Sequence, residues 1–188
     1  MAFYGIYGKN EVMVDLDIHK ASIMDIPSIE EWIKFDSWCK PKIRFPSERC
    51  NFLPWNYMLG SLRNFEGDFF KVVSNIREVE RIEGIIHISL SDGETIIEGL
   101  EIAPWNRELY LGEEREFRQL GLILIGYSIL YGKTAGSCDR IRLESLETRE
   151  PYYRDGLGMH EIKLGEFIYT AAECDDFIGI LIEKGILR

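Results

Sequence analysis

The stretch from Leu120 to Tyr131 constrains this chain more than any other. Leu120, Ile123, Leu124, Tyr127, Leu130 and Tyr131 recur at helical spacing, and Leu122, Ile125 and Ile129 fill much of the remaining circumference. A helix apolar nearly all round has no stripe to offer to water, so it has to be buried, here against a sheet. The pattern predicts a helix over roughly Arg118 to Lys133, with Gly132 and Gly136 bounding its end. Gly126 in its middle costs about 1 kcal/mol against alanine and is expected to let a strand approach closely.

Strands flank this helix. Thr95 to Ala103 reads as one and is closed by Pro104, whose missing N–H ends a ladder. Arg140 to Leu146 alternates again and reads as the next. Strand, helix, strand in that order implies a parallel pair joined by a crossover helix. Upstream, Val12 to Ile18 alternates apolar and acidic residues as a half-buried strand does, and Pro27 to Asp36 reads as a first helix. Phe69 to Ser74 and Ile82 to Leu90 are strands of a meander, with Ser91-Asp92-Gly93 as the turn into Thr95. Cys39 to Asn64, irregular and rich in Pro, Asn and aromatics, reads as helix-poor. Downstream come a short helix at Glu150 to Asp155, a strand over 160–170 and a final helix at Ala171 to Lys184. The expected class is α/β (α+β), a mixed central sheet with helices on both faces, in one domain over residues 1–188.

Charge narrows the partners. Lys and Arg number 22 against 32 Asp and Glu, a net charge of −10. Such a chain repels phosphate backbones and anionic lipid in the mean, so neither nucleic acid nor a membrane is an expected partner, whereas a cationic amine is attracted. Trp32 to Tyr57 interleaves aromatic and basic residues; packing against the sheet, or part of a substrate wall, suits the overall charge better than a nucleic-acid surface. The chain has 4 cysteines, none in C-x-x-C spacing, which fits free thiols in the cytoplasm. Met1 to Asn10 lacks the basic-then-apolar pattern of a signal peptide. His19, His87 and His160 are isolated, so no metal site is expected. Gly132-Lys133-Thr134 follows a helix and lacks the upstream glycine, which rules it out as a phosphate-binding P-loop.

The block from Ile96 to Met159 carries the chemistry. Ile102-Ala103-Pro104 ends the strand, Arg118-Gln119-Leu120-Gly121-Leu122-Ile123 opens the helix, and Tyr152-Tyr153 precedes Leu157-Gly158-Met159. In these elements the chain resembles the GNAT superfamily of acyl-CoA N-acyltransferases, over roughly residues 69–170. The resemblance implies an N-acetyltransferase that moves an acetyl group from acetyl-CoA to a primary amine, directly and without an acyl-enzyme. It implies that amides at the helix start, around Leu120, Gly121 and Leu122 with Gln119 and Ile123 beside them, hold the coenzyme A pyrophosphate, where N–H groups and the helix dipole converge. Arg118 would add a charge-assisted contact. Leu100, Glu101, Ile102 and Ala103 would supply the strand edge that pairs with the pantetheine arm and polarises the thioester. Tyr153 fits the general acid, with Tyr152 as the alternate, and Glu98 or Glu101 the base. Glu98 and Glu101 sit three apart, so on an ideal strand they face opposite sides, with Glu98 slightly preferred. Ile123, where the family usually has Gly or Ala, and the extra residues from Trp105 to Phe117 favour the alternative, a non-catalytic ligand-binding or protein-interaction module on the same fold. The acceptor amine is not legible, and a homodimer is left open.

Overall fold

The computed structural model describes residues 2–8, 11–39, 55–76, 79–106, 117–145 and 149–188, without the side chains of 36–39 and 55–56. Among the described residues, nine strands form one sheet. They are β1 (Phe3–Tyr7), β2 (Val12–Lys20), β3 (Asp68–Ile76), β4 (Val79–Ser91), β5 (Glu94–Ile102), β6 (Phe117–Arg118), β7 (Arg140–Glu144), β8 (His160–Lys163) and β9 (Glu166–Thr170). Their order in the sheet is β6-β1-β2-β3-β4-β5-β7-β9-β8. Only β5 and β7 among these neighbours run parallel, and the helix α3 (Leu120–Ala135) lies between them in sequence, as the strand-helix-strand pattern requires.

Two apolar layers cover the two faces. On one, α3 and the C-terminal helix α4 (Ala171–Glu183) bury Leu120, Ile123, Leu124, Phe177 and Leu181 against Val72, Ile86, Ile88, Ile97 and Ile141. On the other, α1 (Ile26–Cys39) and α2 (Trp55–Asn64) bury Ile29, Trp32, Met58, Leu59 and Leu62 against Phe69, Ile82 and Ile85. The mixed sheet with helices on both faces is therefore as expected.

Four local expectations need correction. Helix α2 lies within the stretch expected to be helix-poor. Its apolar residues Met58, Leu59 and Leu62 have helical spacing. The strand expected over 160–170 is a hairpin, β8 and β9, reversed at Gly165, whose φ is 75°. The short helix expected at Glu150 to Asp155 is present, but its turn over Tyr152–Gly156 is a wide π turn rather than an α turn. At Gly126 it is Leu181 of α4, not a strand, that occupies the space a Cβ would take.

Two β-bulges place glutamates in special positions. Val72 faces Gly84 while Val73 faces Ile82, so Glu83 is an extra residue of β4. His87 faces Gly99 while Ile88 faces Ile97, so Glu98 is an extra residue of β5. A bulged residue leaves the regular ladder and turns the strand locally. Glu83 is fully buried and accepts from Ser74 Oγ at 2.6 Å, Arg81 Nε at 2.7 Å, Trp105 Nε1 at 2.8 Å and Asn106 Nδ2 at 2.8 Å. A charge buried that deeply is tolerable only when its lone pairs are filled, and here they are.

Candidate active site

The site begins at the end of β5. Its parallel pairing with β7 covers Glu94–Arg140 through Ile97–Leu143, and β5 then continues to Ile102 while β7 ends at Glu144. Among the described residues the two strands thus pair at one end only. Ala103 donates its N–H to Glu83 O at 2.8 Å, on the β4 side. Ala103, expected among the residues that offer an amide to a ligand, therefore has its amide committed to β4. Backbone groups alternate between the two edges of a strand, which turns the amide of Leu100 toward the β7 side.

The second component is the start of α3. Phe117 and Arg118 pair with Tyr7 and Ile6 of β1, so the chain arrives as a strand and must turn abruptly into the helix. Gln119 makes that turn in the left-handed region, with φ 69° and ψ 6°, an uncommon backbone state for a residue with a side chain. Helix α3 has no side-chain cap and no acidic residue in its first turn. Its leading amides, at Leu120, Gly121 and Leu122, have no acceptor within the helix, as holds for any helix start. Gly121 removes a side chain from this end, and a Cβ there would meet only the Tyr152 hydroxyl, 3.7 Å away. The buried Gln119 Oε1 has no hydrogen-bond partner. Ile123 is fully buried in the core and its N–H bonds Gln119 O at 3.0 Å, so its bulk is directed away from the helix opening. Arg118 is not turned toward these amides; its guanidinium bonds Glu11 at 2.8 Å.

The π turn brings two tyrosines to this place. Leu157 N–H returns to Tyr152 O and Met159 N–H to Tyr153 O, both at 2.9 Å, while the Tyr169 hydroxyl donates to Leu157 O. Buried Met159 anchors the turn from below. Tyr152 is 44% exposed and its hydroxyl stands by Gly121. Tyr153 is half-buried, holds its ring tilted against Phe167 with centroids 5.8 Å apart, and packs edge-on against Tyr152 at 5.4 Å. Burial pushes the Tyr153 phenol up to about 12, helped by Tyr152 and by the Glu101 carboxylate and opposed by Arg149. The phenol is therefore fully protonated at neutral pH.

The two candidate bases part company. Glu101 is only 8% exposed, close enough to Tyr153 for its charge to be felt there, and opposite Ile85 on the face covered by α1 and α2. Glu98, on the bulge, is exposed and accepts from Ser89 Oγ at 2.6 Å. The bulge interrupts the ideal alternation by which the two glutamates were expected to face opposite sides. Sequence reasoning missed Asn106 as a positioning residue. Its Oδ1 accepts the Phe117 N–H at 2.9 Å while its Nδ2 donates to Glu83, tying the end of β5 to the start of β6. The stretch 107–116 between them, and most of the aromatic-basic segment at 40–54, lie outside the described residues.

A mixed sheet in which β5 runs on past its last described pair with β7, beside a helix start with no side-chain cap and a glycine in its first turn, suits the acyl-CoA N-acyltransferase fold. Comparison with solved structures agrees. A GNAT-family acetyltransferase from Staphylococcus aureus Mu50 superposes with a TM-score of 0.55 at 17% identity, over 83% of this chain and 99% of that one. The PaiA N-acetyltransferase of Thermoplasma acidophilum, solved in complex with coenzyme A, gives 0.53 at 15% identity, over 81% and 96%. A GNAT acetyltransferase from Listeria monocytogenes 4b F2365 gives 0.53 at 15%, over 83% and 94%. No protein-family model matches the sequence, and no curated protein matches it. The chain has the GNAT fold, as its sequence resemblance implied. Among the described residues no helix is long and apolar enough to cross a membrane, and no group of three or more His, Cys, Asp or Glu could hold a metal ion.

Proposed function

We propose that this protein is an N-acetyltransferase that transfers an acetyl group from acetyl-CoA to a primary amine. The observation that carries the reading is the placement of the tyrosine pair, Tyr152 beside the α3 opening at Gly121 and Tyr153 within reach of the Glu101 charge on β5. One short turn thus joins the α3 opening to the end of β5, which among the described residues has no parallel partner beyond Ile97. The coenzyme A complex of the similar Thermoplasma protein supports the same use of the fold.

In this reading the amides of Leu120, Gly121 and Leu122 hold the pyrophosphate of acetyl-CoA, and the β7-side edge around Leu100 receives the pantetheine arm. Acetyl-CoA supplies the activated acyl carbon. Glu101 holds the acceptor amine on the α1–α2 face, its carboxylate attracting a cation in a half-dry setting. Tyr153, protonated at neutral pH, lends its proton to the departing sulfur. Cys138 and Cys174 are free thiols, which fits a reducing cytoplasm.

Thermal unfolding with and without acetyl-CoA tests the reading. A ligand at 100 times its Kd adds about 2.7 kcal/mol of stability, and thiol release on adding an amine then reports transfer. An unchanged melting curve at millimolar acetyl-CoA would overturn it.

A further inference from the structure

We propose that His87 takes the proton from the acceptor ammonium, on the same sheet face as Glu101. The inference rests on the acetyl-transfer reading above and adds the group that makes the amine nucleophilic.

Register places the imidazole. On β4 and β5, Ile85 faces Glu101 and His87 faces Gly99. His87 and Glu101 are therefore diagonal neighbours on one face, roughly 7–8 Å apart at the backbone. Both side chains therefore rise from the sheet face that α1 and α2 cover.

The ring is held in a single orientation. It stacks on Phe69 with centroids 4.0 Å apart and planes 10° from parallel. Gly67, at φ 76°, stands where any Cβ would run into His87 Nε2, and the ring bonds the neighbouring Glu66 backbone carbonyl. Nε2 is thus the donor, and Nδ1 is left as a bare acceptor. His87 is 3% exposed, yet Nδ1 has no hydrogen-bond partner. Buried polar atoms in native proteins are nearly always satisfied, so an orphan of this kind asks for a ligand.

The charges suit a base. Burial holds the ring below the ordinary histidine range, so it is neutral and able to accept at pH 7. The charges that face it are the carboxylates of Glu66 and Asp68, at the entry to β3, and of Glu98 on the β5 bulge; Phe69 covers it with an apolar ring. All three carboxylates stabilise the imidazolium once it forms. A proton passes from the ammonium to Nδ1, directly or through one water. The freed lone pair attacks the thioester carbon, the C–N bond forms and the C–S bond breaks. The sulfur leaves with the electron pair and receives the second amine proton by way of Tyr153. His87 returns its proton to solvent, so one proton is released per turnover.

The test is the pH profile of acetyl transfer to spermidine, tyramine and a glycyl peptide, in the wild-type protein and His87→Gln, with acetyl-CoA stabilisation as the folding control. The expected result is a kcat about 100-fold lower in the variant. Its kcat/KM should climb tenfold per pH unit toward the amine's own pKa, whereas the wild type levels off above the imidazole's, and acetyl-CoA stabilisation should be unchanged. Transfer by the wild type with the same profile in His87→Gln overturns the role of His87 alone. Absence of both transfer and acetyl-CoA stabilisation in the wild type overturns the acetyl-transfer reading, and His87 with it. Imidazole NMR of the wild-type protein saturated with coenzyme A gives an answer if the variant does not fold or the amines are not acetylated. A His87 ring whose Nδ1 resonance moves on adding spermidine supports the assignment, and one that stays still overturns it.

Discussion

Asn106 Oδ1 accepts the N–H of Phe117 at 2.9 Å, although the two residues are separated by the stretch 107–116. The same side chain donates to buried Glu83 at 2.8 Å. One carboxamide therefore sets where β6 begins relative to the end of β5, and with it where α3 opens.

Replacing Asn106 with alanine should lower stability by about 2 kcal/mol, since it strips a partner from a buried N–H and from a buried carboxylate. It should also weaken stabilisation by acetyl-CoA, because the α3 opening loses its tether. Chemical unfolding with and without acetyl-CoA measures both. Equal ligand stabilisation in variant and wild type would remove Asn106 from the positioning of the site.

Gly121→Ala separates stability from binding. A Cβ at this position meets only the Tyr152 hydroxyl at 3.7 Å, an ordinary contact, and alanine favours the helix by up to about 1 kcal/mol. The ligand-free variant should be as stable as the wild type or more so. Its methyl group projects where the first-turn amides would meet a phosphate, so the acetyl-CoA affinity should fall at least tenfold by calorimetry. An unchanged affinity would place the pyrophosphate elsewhere.

Tyr153→Phe should reduce kcat by about 100-fold or more while acetyl-CoA stabilisation is retained. The pKa has a further consequence. A phenol pushed up to about 12 stays in its proton-bearing form far above neutrality, so Tyr153 imposes no loss of rate as pH rises until its own pKa is approached. A pH–rate profile for the wild type should therefore show no alkaline decline from this residue below about pH 10.

Glu101 and Glu98 should respond differently to removal of charge. Glu101→Gln takes a carboxylate from a buried place near Tyr153 and should lower kcat/KM for the amine by about 10- to 100-fold. Glu98→Gln changes an exposed residue bonded to Ser89 and should alter it less than threefold. Steady-state kinetics of the two variants, side by side, decide which glutamate serves the reaction.

Much of this was legible from residue order alone. The apolar pattern of 120–131 required a buried helix, and the strands on either side required a parallel crossover; α3 between β5 and β7 satisfies both. The closing helix was equally plain, and Thr170 with Glu173 forms the capping box at its start. These features are written within a window of a few turns or a few strand residues, because local periodicity determines which side chains share a face. The motifs from Ile102 to Pro104, at Arg118 to Ile123 and at Tyr152-Tyr153 pointed in the same way to the elements that meet at the candidate site.

Only the tertiary structure decided where the side chains and amides of those elements are directed. Whether Glu98 or Glu101 is buried depends on a bulge, and a bulge is a property of register between two strands, invisible in either strand alone. The commitment of Ala103 to Glu83, of Arg118 to Glu11 and of Asn106 to Phe117 each joins segments whose partners cannot be read from spacing. The bare Nδ1 of His87 arises the same way, from Phe69, Gly67 and Glu66 closing around a ring on a neighbouring strand. Periodicity acts over neighbours in the chain and so fixes elements, whereas hydrogen-bond satisfaction and burial act over neighbours in space and so fix the site.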